Sequence, residues 1–461
     1  MTARTGAHED RKVLAATLVG TAIEWYDYFI YAQAAGLVLG PLFLGPIAKD
    51  NPGLAQLLSF ATIGISFLFR PLGALVCGHL GDRIGRKAML VLTLVLMGVS
   101  TAAIGLLPTY AQAGAVAPVL LILLRVLQGF SAGGEWGGAA LMAVEHAPVK
   151  RRGLFGAFPQ IGVPLGMILA TLVLLLLDAI LGKAQFAAWG WRVPFLLSAV
   201  MVILGLYVRL KLIETPAFTK VLESNEVAKL PIGRVFKKSW RPLILGTFIM
   251  LATYVLFYLM TTFTLKYGTQ PTLTGAQAAA VKAGKPMTDA AAAAFVPGLG
   301  FSNSEFLWML IAGVVFFGIF TLVAGPLAEK YGRRKMLLAV TAGILVFGLL
   351  FVPLFSGGFV GTMALLIIGF TLMGLTFGPM GALLPELFPT NVRYTGSAVS
   401  YNMSSILGAA VAPFIAVWLW ESAKGSTVLV GVYLSAMAVL TLVALFLSRE
   451  TKDSDYENNV A

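Results

Sequence analysis

The sequence predicts an all-α polytopic membrane protein, with twelve transmembrane helices arranged as two pseudo-symmetric six-helix bundles. Composition, the length of the apolar runs and a repeat between the two halves carry that prediction. Of 461 residues, 58% are hydrophobic and only 12% charged, and the mean hydropathy is +0.86. A water-soluble domain carries about 25% charged residues. Half that density cannot cover a water-facing surface of this size, which excludes an ordinary soluble enzyme, a disordered chain and a disulfide-stapled secreted domain. Cys77 is the single cysteine, so no internal disulfide can form.

A span needs about 20 mostly apolar residues. Such runs lie at approximately 13–38, 54–78, 88–107, 118–145, 153–177, 191–210, 240–263, 304–325, 336–355, 359–384, 396–420 and 427–447. The first has features of a signal peptide, with Arg11 and Lys12 ahead of it and Ala32-Gln33-Ala34 like a cleavage site. It is nevertheless read as a span: Glu24 and Asp27 interrupt it, it is too long, and further spans follow. The chain therefore divides into a tail (1–12), a first bundle (13–210), a linker (211–239), a second bundle (240–447, with a long loop at 266–303) and a tail (448–461).

Orientation follows from where Lys and Arg fall. With both termini inside, the outer loops hold only Lys49, Lys183, Lys266, Lys282, Lys285 and Lys424 of the 33 basic residues. Arg70, Arg125 and Arg192 lie in or at the edge of spans, and all the others fall in inner loops and tails. Cytoplasmic termini in a bacterial inner membrane are the expectation. The asymmetry also accounts for the net charge of +12 without an acidic partner. No basic patch is interleaved with aromatic residues, so nucleic acid is not a partner.

The halves repeat each other. Gly78-His79-Leu80-Gly81-Asp82-Arg83-Ile84-Gly85-Arg86-Lys87 follows the second span, and Gly325-Pro326-Leu327-Ala328-Glu329-Lys330-Tyr331-Gly332-Arg333-Arg334 follows the eighth. Glu145, Pro148, Arg152 and Gly153 recur as Glu386, Pro389, Arg393 and Gly396. Parallel six-helix repeats suit a transporter with its site between the halves near mid-membrane. The D-R-x-G-R-K loop and its second copy resemble the signature of the major facilitator superfamily. The segments Glu24–Tyr31, Phe67–Gly73, Gln128–Ala140, Trp189–Phe195 and Leu383–Gly396 are similar to those of its metabolite:proton symporters, which include shikimate, 2-oxoglutarate, citrate and proline/betaine carriers. The resemblance implies that Asp82, Arg83, Arg86, Glu145 and Arg152, with Glu329, Arg333, Glu386 and Arg393, form a charge latch that locks the halves when the site opens outward. The tail after Arg449 lacks the long extension of the osmosensing members.

Charges lie deep in the first bundle. Glu24 is about 16 Å along its helix from Val13, at a rise of about 1.5 Å per residue. Glu24, Asp27, Tyr28 and Tyr31 share one helical face, and Arg125, Gln128 and Glu135 share another stripe with Trp136 beside it. An unpaired charge at such depth costs about 2.5–3.5 kcal/mol. Glu24, Asp27, Glu135, Arg70 and Arg125 must therefore face one another or a cavity. They are either static ion pairs or a coupling device. In the second reading an incoming anion competes for Arg125 or Arg70 and leaves one carboxylate (Asp27, Glu24 or Glu135) ready to take a proton. Arg suits the clamp because its planar fork binds a carboxylate bidentately.

The second bundle offers neutral groups: Thr247, Tyr254, Tyr258 and Thr261 on the seventh span, and Ser397, Ser400, Tyr401, Asn402 and Ser404 on the eleventh. Gln160 on the fifth belongs with them. Such groups either read substrate oxygens or tie helices together. Gly129-Phe130-Ser131-Ala132-Gly133 matches G-x-S-x-G only within the fourth span, where Ser131 has no base in reach of the pattern, and no H-E-x-x-H or P-loop motif is present; the chain is therefore not read as an enzyme, and no cofactor or metal is implied. The expected function is proton-coupled uptake of a small organic acid by a monomer. Uptake of a zwitterionic osmolyte, with Trp25, Tyr28 and Trp136 as an aromatic box, and proton-driven export are the alternatives. The mechanism expects the buried charges to meet across one solute-sized chamber.

Overall fold

The computed structural model describes residues 2–35, 39–45, 52–223 and 231–452, and among the described residues there is no strand. The first half consists of α1 (Thr2–Ala34), α2 (Pro52–Ile84), α3 (Arg86–Leu106), α4 (Val116–His146), α5 (Arg152–Gln185) and α6 (Arg192–Leu210). The second consists of α7 (Trp240–Tyr258), α8 (Asn303–Tyr331), α9 (Arg333–Leu349), α10 (Gly358–Glu386), α11 (Arg393–Ser405) and α12 (Val428–Leu447). Among the described residues, ten helical stretches are long and apolar enough to cross a membrane. α1 and α9 fall outside that set. α1 has Glu24 and Asp27 at its centre, and α9 has only 17 residues before the short Phe351–Phe355 helix continues it.

Bulky apolar side chains face outward, with Ile203 69%, Val360 75% and Phe446 63% exposed, while Asp27, Arg125, Gln128 and Asn402 are buried. A soluble protein does not expose apolar surface on that scale; a bilayer is the solvent that accepts it. Inside each half, small residues let backbones touch. A Cβ on Gly129 or Gly133 of α4 would run into the α2 backbone at Ser66 and Arg70, so this seam sets the depth and direction of Arg70.

The halves meet where α5 packs on α8 and α10, and where α2 packs on α11. α7 and α11 each break into a five-residue π-helical stretch, Leu259–Phe263 and Ile406–Ala410, just past Tyr258 and Tyr401. Such bulges are frequent at functional sites. One end of the molecule, here the termini face, carries the start of α1, the end of α12 and two tight turns at Gly85 (φ +114°) and Gly332 (φ +93°). Only glycine adopts that backbone readily, which explains why the repeat retains glycine at both positions. The expected 211–239 linker contains two short helices, Pro216–Glu223 and Pro231–Lys238, which lie under both halves on this face. In the 266–303 segment, Leu273–Lys282 and Asp289–Ala294 are helical, and the Thr272 and Thr288 side chains cap them.

Candidate substrate site and latch

Arg70 occupies the middle of the molecule, one residue before Pro71 of α2. Its side chain is buried, and its guanidinium carbon lies 4.4 Å from the Phe67 ring centroid, 5.2 Å from Tyr28 and 5.8 Å from Trp25. Among the described residues it makes no ion pair, and its Nε has no hydrogen-bond partner. Glu24, one turn before Tyr28, lies in the field of Arg70, and its Oε2 is likewise unpartnered. The second half closes this cage: Tyr258 donates to the Tyr28 hydroxyl at 3.3 Å, and its ring meets Phe67 at 5.8 Å.

Beside the cage, Trp136 stacks on Tyr401 and donates from Nε1 to Gln160 Oε1 at 2.9 Å; Gln160 Nε2 in turn donates to the Phe377 carbonyl at 3.1 Å. The hydroxyls of Tyr254 and Tyr401 are buried beside each other. Between them lies a cavity of about 10 Å³, lined by aromatic and thioether groups that include Trp25, Tyr254, Phe257 and Phe377. That volume holds about one water. The solute-sized chamber expected from the sequence is therefore not found among the described residues, because aromatic side chains from both halves fill the centre.

No charged side chain lines that cavity, and the buried charges other than Arg70 and Glu24 lie in separate seams. Arg125 lies 3.6 Å from the Tyr31 ring centroid and donates from Nη1 to Gln128 Oε1 at 2.5 Å; Gln128 donates to Thr101 Oγ1 at 2.6 Å. Tyr31 and Thr62 share a hydrogen bond of 2.5 Å. Asp27 is fully buried with the Thr101 and Ser198 hydroxyls facing it, and it makes no ion pair among the described residues. These groups form a seam within the first half. Glu135 is tied into another seam: Arg209 donates to both of its oxygens, and Thr93 donates to Oε2 at 2.6 Å. Arg209, expected among the inner-loop charges, lies at the end of α6. In the fold it is buried, because a carboxylate this deep needs a partner. Asn402 bridges helices, donating to the Gly133 and Ala398 carbonyls at 2.9 and 2.8 Å. Tyr28, Arg70, Trp136, Gln160, Tyr254 and Tyr258 thus come together centrally, whereas Tyr31, Arg125, Gln128 and Asn402 serve contacts elsewhere.

The repeated charges lie on the termini face. Asp82 accepts from the Tyr394 and Thr395 amides at 3.2 and 2.9 Å and from Thr395 Oγ1 at 2.8 Å. An α2 carboxylate therefore caps the N-terminus of α11, where the helix dipole favours negative charge. Glu329, the aligned residue on α8, accepts from Gly153 N at the start of α5 at 2.5 Å. Arg86 pairs with Asp82 and Glu145, both at 3.4 Å, and Arg393 reaches Glu145 at 3.5 Å. In the second copy Arg333 pairs with Glu329 at 2.9 Å and Glu386 at 3.2 Å, and Arg152 lies in the field of Glu386. Arg83 is exposed and makes no ion pair among the described residues.

Sequence reasoning missed a further repeated pair. Glu214 Oε2 caps Lys87 N at 3.2 Å, and Thr215 Oγ1 donates to Glu145 at 2.6 Å. Correspondingly, Glu450 caps Arg333 N at 2.8 Å and Arg334 N at 3.1 Å, and Thr451 donates to Glu386 at 2.6 Å. The signal was available, since a Glu-Thr pair follows both the sixth and the twelfth span.

Comparison with known proteins agrees with this architecture. The family model for sugar (and other) transporters matches residues 12–234 and 290–459. The chain is 50% identical over 450 residues to the inner membrane metabolite transport protein YhjE of Escherichia coli K12, covering 97% of this chain and 96% of that one. It is 32% identical to the E. coli K12 proline/betaine transporter over 96% of this chain and 84% of that one, and 31% identical to the E. coli K12 shikimate transporter over 96% and 95%. The proton:xylose symporter XylE bound to 6-bromo-6-deoxy-D-glucose superposes with a TM-score of 0.75 at 18% identity, covering 98% of each chain.

Proposed function

The chain belongs to the sugar (and other) transporter family of the major facilitator superfamily, a multi-pass inner-membrane transporter rather than an enzyme, and we propose that it couples inward movement of a small organic acid to that of a proton. The observation that carries this reading is Arg70: a buried guanidinium with an unpartnered Nε, in an aromatic cage closed by both halves. A substrate carboxylate supplies the bidentate partner that it lacks. The Tyr254 and Tyr401 hydroxyls, buried beside each other, are positioned to turn toward the substrate's other oxygens.

Coupling follows from charge. An anion carried alone moves uncompensated charge through a low-dielectric site, at about 2.5–3.5 kcal/mol for each unpaired charge. Substrate bound to Arg70 removes the compensation that Arg70 gives Glu24, and Glu24 then takes a proton. Asp27, buried beside two hydroxyls in its own seam with no ion pair among the described residues, is the second candidate carrier, and Glu135, already held by Arg209, the third. The density of Lys and Arg on the termini face supports a cytoplasmic location for both chain ends. The latch of Asp82, Arg86, Glu145, Glu329, Arg333, Glu386 and Arg393, with Arg152 beside it, then closes the cytoplasmic side, and alternating access proceeds by breaking it. The site is complete within one chain, which supports a working monomer.

The cavity lining favours one second reading. Trp25, Tyr254, Phe257, Phe377 and Tyr401 form an aromatic wall suited to a quaternary ammonium, with Arg70 taking the carboxylate of a zwitterion. Energised right-side-out vesicles test these readings with labelled shikimate and betaine. Uptake that follows an inward proton gradient, and loses that dependence in Glu24→Gln or Asp27→Asn, is expected. Unimpaired uphill uptake in both variants removes them as carriers, and efflux driven by the inward gradient means export.

A further inference from the structure

A second cavity, of about 370 Å³, opens on the termini face at the seam between the halves. It is lined by Lys150, Arg151 and Leu154 from the first half and Pro326, Glu329 and Lys330 from the second. We propose that this cavity binds the phosphate of an anionic membrane phospholipid, with cations from both halves around the headgroup.

Charge is the first argument. Lys150 and Arg151 lie in the Val149–Arg151 turn, are exposed, and make no ion pair among the described residues. Lys330, at the end of α8, is also exposed. The one carboxylate present, Glu329, is already occupied by Arg333 and the Gly153 amide. The neighbouring Arg152 is buried and lies in the field of Glu386. Three cations therefore surround the cavity with little local compensation. Arg binds a phosphate through its fork, and Lys binds it as a point charge.

Location identifies the source of the phosphate. The cavity lies where α5 begins and α8 ends, at the depth of the headgroup layer. On α8, Ile319, Leu322, Val323 and Pro326 follow the i, i+3, i+4, i+7 pattern of one face. Ile319, Leu322 and Val323 are 50%, 36% and 40% exposed. This apolar stripe leads from mid-membrane into the cavity, with Leu154 at its edge, and gives an acyl chain a path that a free phosphate would not use. The cavity also depends on closure. A Cβ on Gly153 would lie 2.7 Å from the Gly325 carbonyl, so its walls exist only while the halves touch here. A ligand that bridges them favours the state closed on this face.

The proposal stands apart from substrate identity and is read by binding. Purified protein in detergent is titrated with phosphatidylglycerol, phosphatidylcholine or inorganic phosphate, with the thermal midpoint and lipid retention in native mass spectra as readouts. Phosphatidylglycerol is expected to raise the midpoint by several degrees and to remain bound, whereas phosphatidylcholine and inorganic phosphate do neither. The triple variant Lys150→Gln/Arg151→Gln/Lys330→Gln should lose that shift, and Lys150→Arg/Lys330→Arg should keep it. An undiminished phosphatidylglycerol shift in the triple variant overturns the site. An equal shift with inorganic phosphate, lost in the triple variant, overturns the lipid assignment in favour of a soluble anion.

Discussion

Trp136 and Tyr401 stack face to face across the two halves, with ring centroids 3.9 Å apart and planes 6° from parallel. An aromatic pair contributes about 0.5–1.5 kcal/mol beyond its buried area. Tyr401→Ala should therefore raise the KM of uptake by about 2- to 12-fold, while Tyr401→Phe, which keeps the stack, should stay near wild type. Equal KM values for the two variants would show that the ring contact has no part in binding.

Arg70 holds its charge in an aromatic cage without an ionic partner. A hydrogen bond to a charged group contributes about 1.5–3 kcal/mol, so Arg70→Gln should cut uptake by about 10- to 150-fold. Arg70→Lys retains the charge but loses the fork, and should recover only a small part. Substrate-induced thermal stabilisation should vanish in Arg70→Gln. If that stabilisation survives in full, the clamp lies elsewhere.

Asp82 accepts two backbone amides and the Thr395 hydroxyl at the start of α11. Asp82→Asn removes the charge and turns part of the side chain into a donor facing donors. At about 1.5–3 kcal/mol, the closed population on the termini face should fall about tenfold or more. Thiol-labelling of a cysteine placed beneath the central cage reads this directly. Unchanged labelling together with normal turnover would count against the latch.

Thr215 and Thr451 donate to Glu145 and Glu386 at the same distance, 2.6 Å. Valine at either site leaves a buried carboxylate oxygen short of a donor, at about 1–3 kcal/mol. Thr215→Val and Thr451→Val should each lower the thermal midpoint by a similar amount, and serine should restore it at both. A loss at one site alone would show that the two copies of the latch are not equivalent.

The helices and their pairing into halves were legible because apolar runs of bilayer length have few alternatives in lipid, where every backbone group must be satisfied within its own segment. The repeat of Asp82, Arg86 and Glu145 as Glu329, Arg333 and Glu386 was legible for a related reason: two similar chains folding alike put the same groups on the same face. Glu214, Thr215, Glu450 and Thr451 escaped notice because the pairs lie beyond the spans, outside any periodic pattern. Arg209 was misjudged for the opposite reason. A basic residue at the end of a span resembles an anchor, and only the fold, which brings the Arg209 guanidinium to the α4 carboxylate, shows that it serves Glu135.

By itself, then, the sequence determined that the chain crosses a membrane repeatedly, that its halves are copies, and that charge is buried in the first of them. Tertiary structure decided which charges share a partner. Helical periodicity assigns a residue to a face but does not say which neighbour covers that face. That assignment separated Arg70 and Glu24, beside the central cavity, from Asp27, Arg125 and Glu135 in seams of the first half. It also filled the place of the expected chamber with aromatic side chains from both halves.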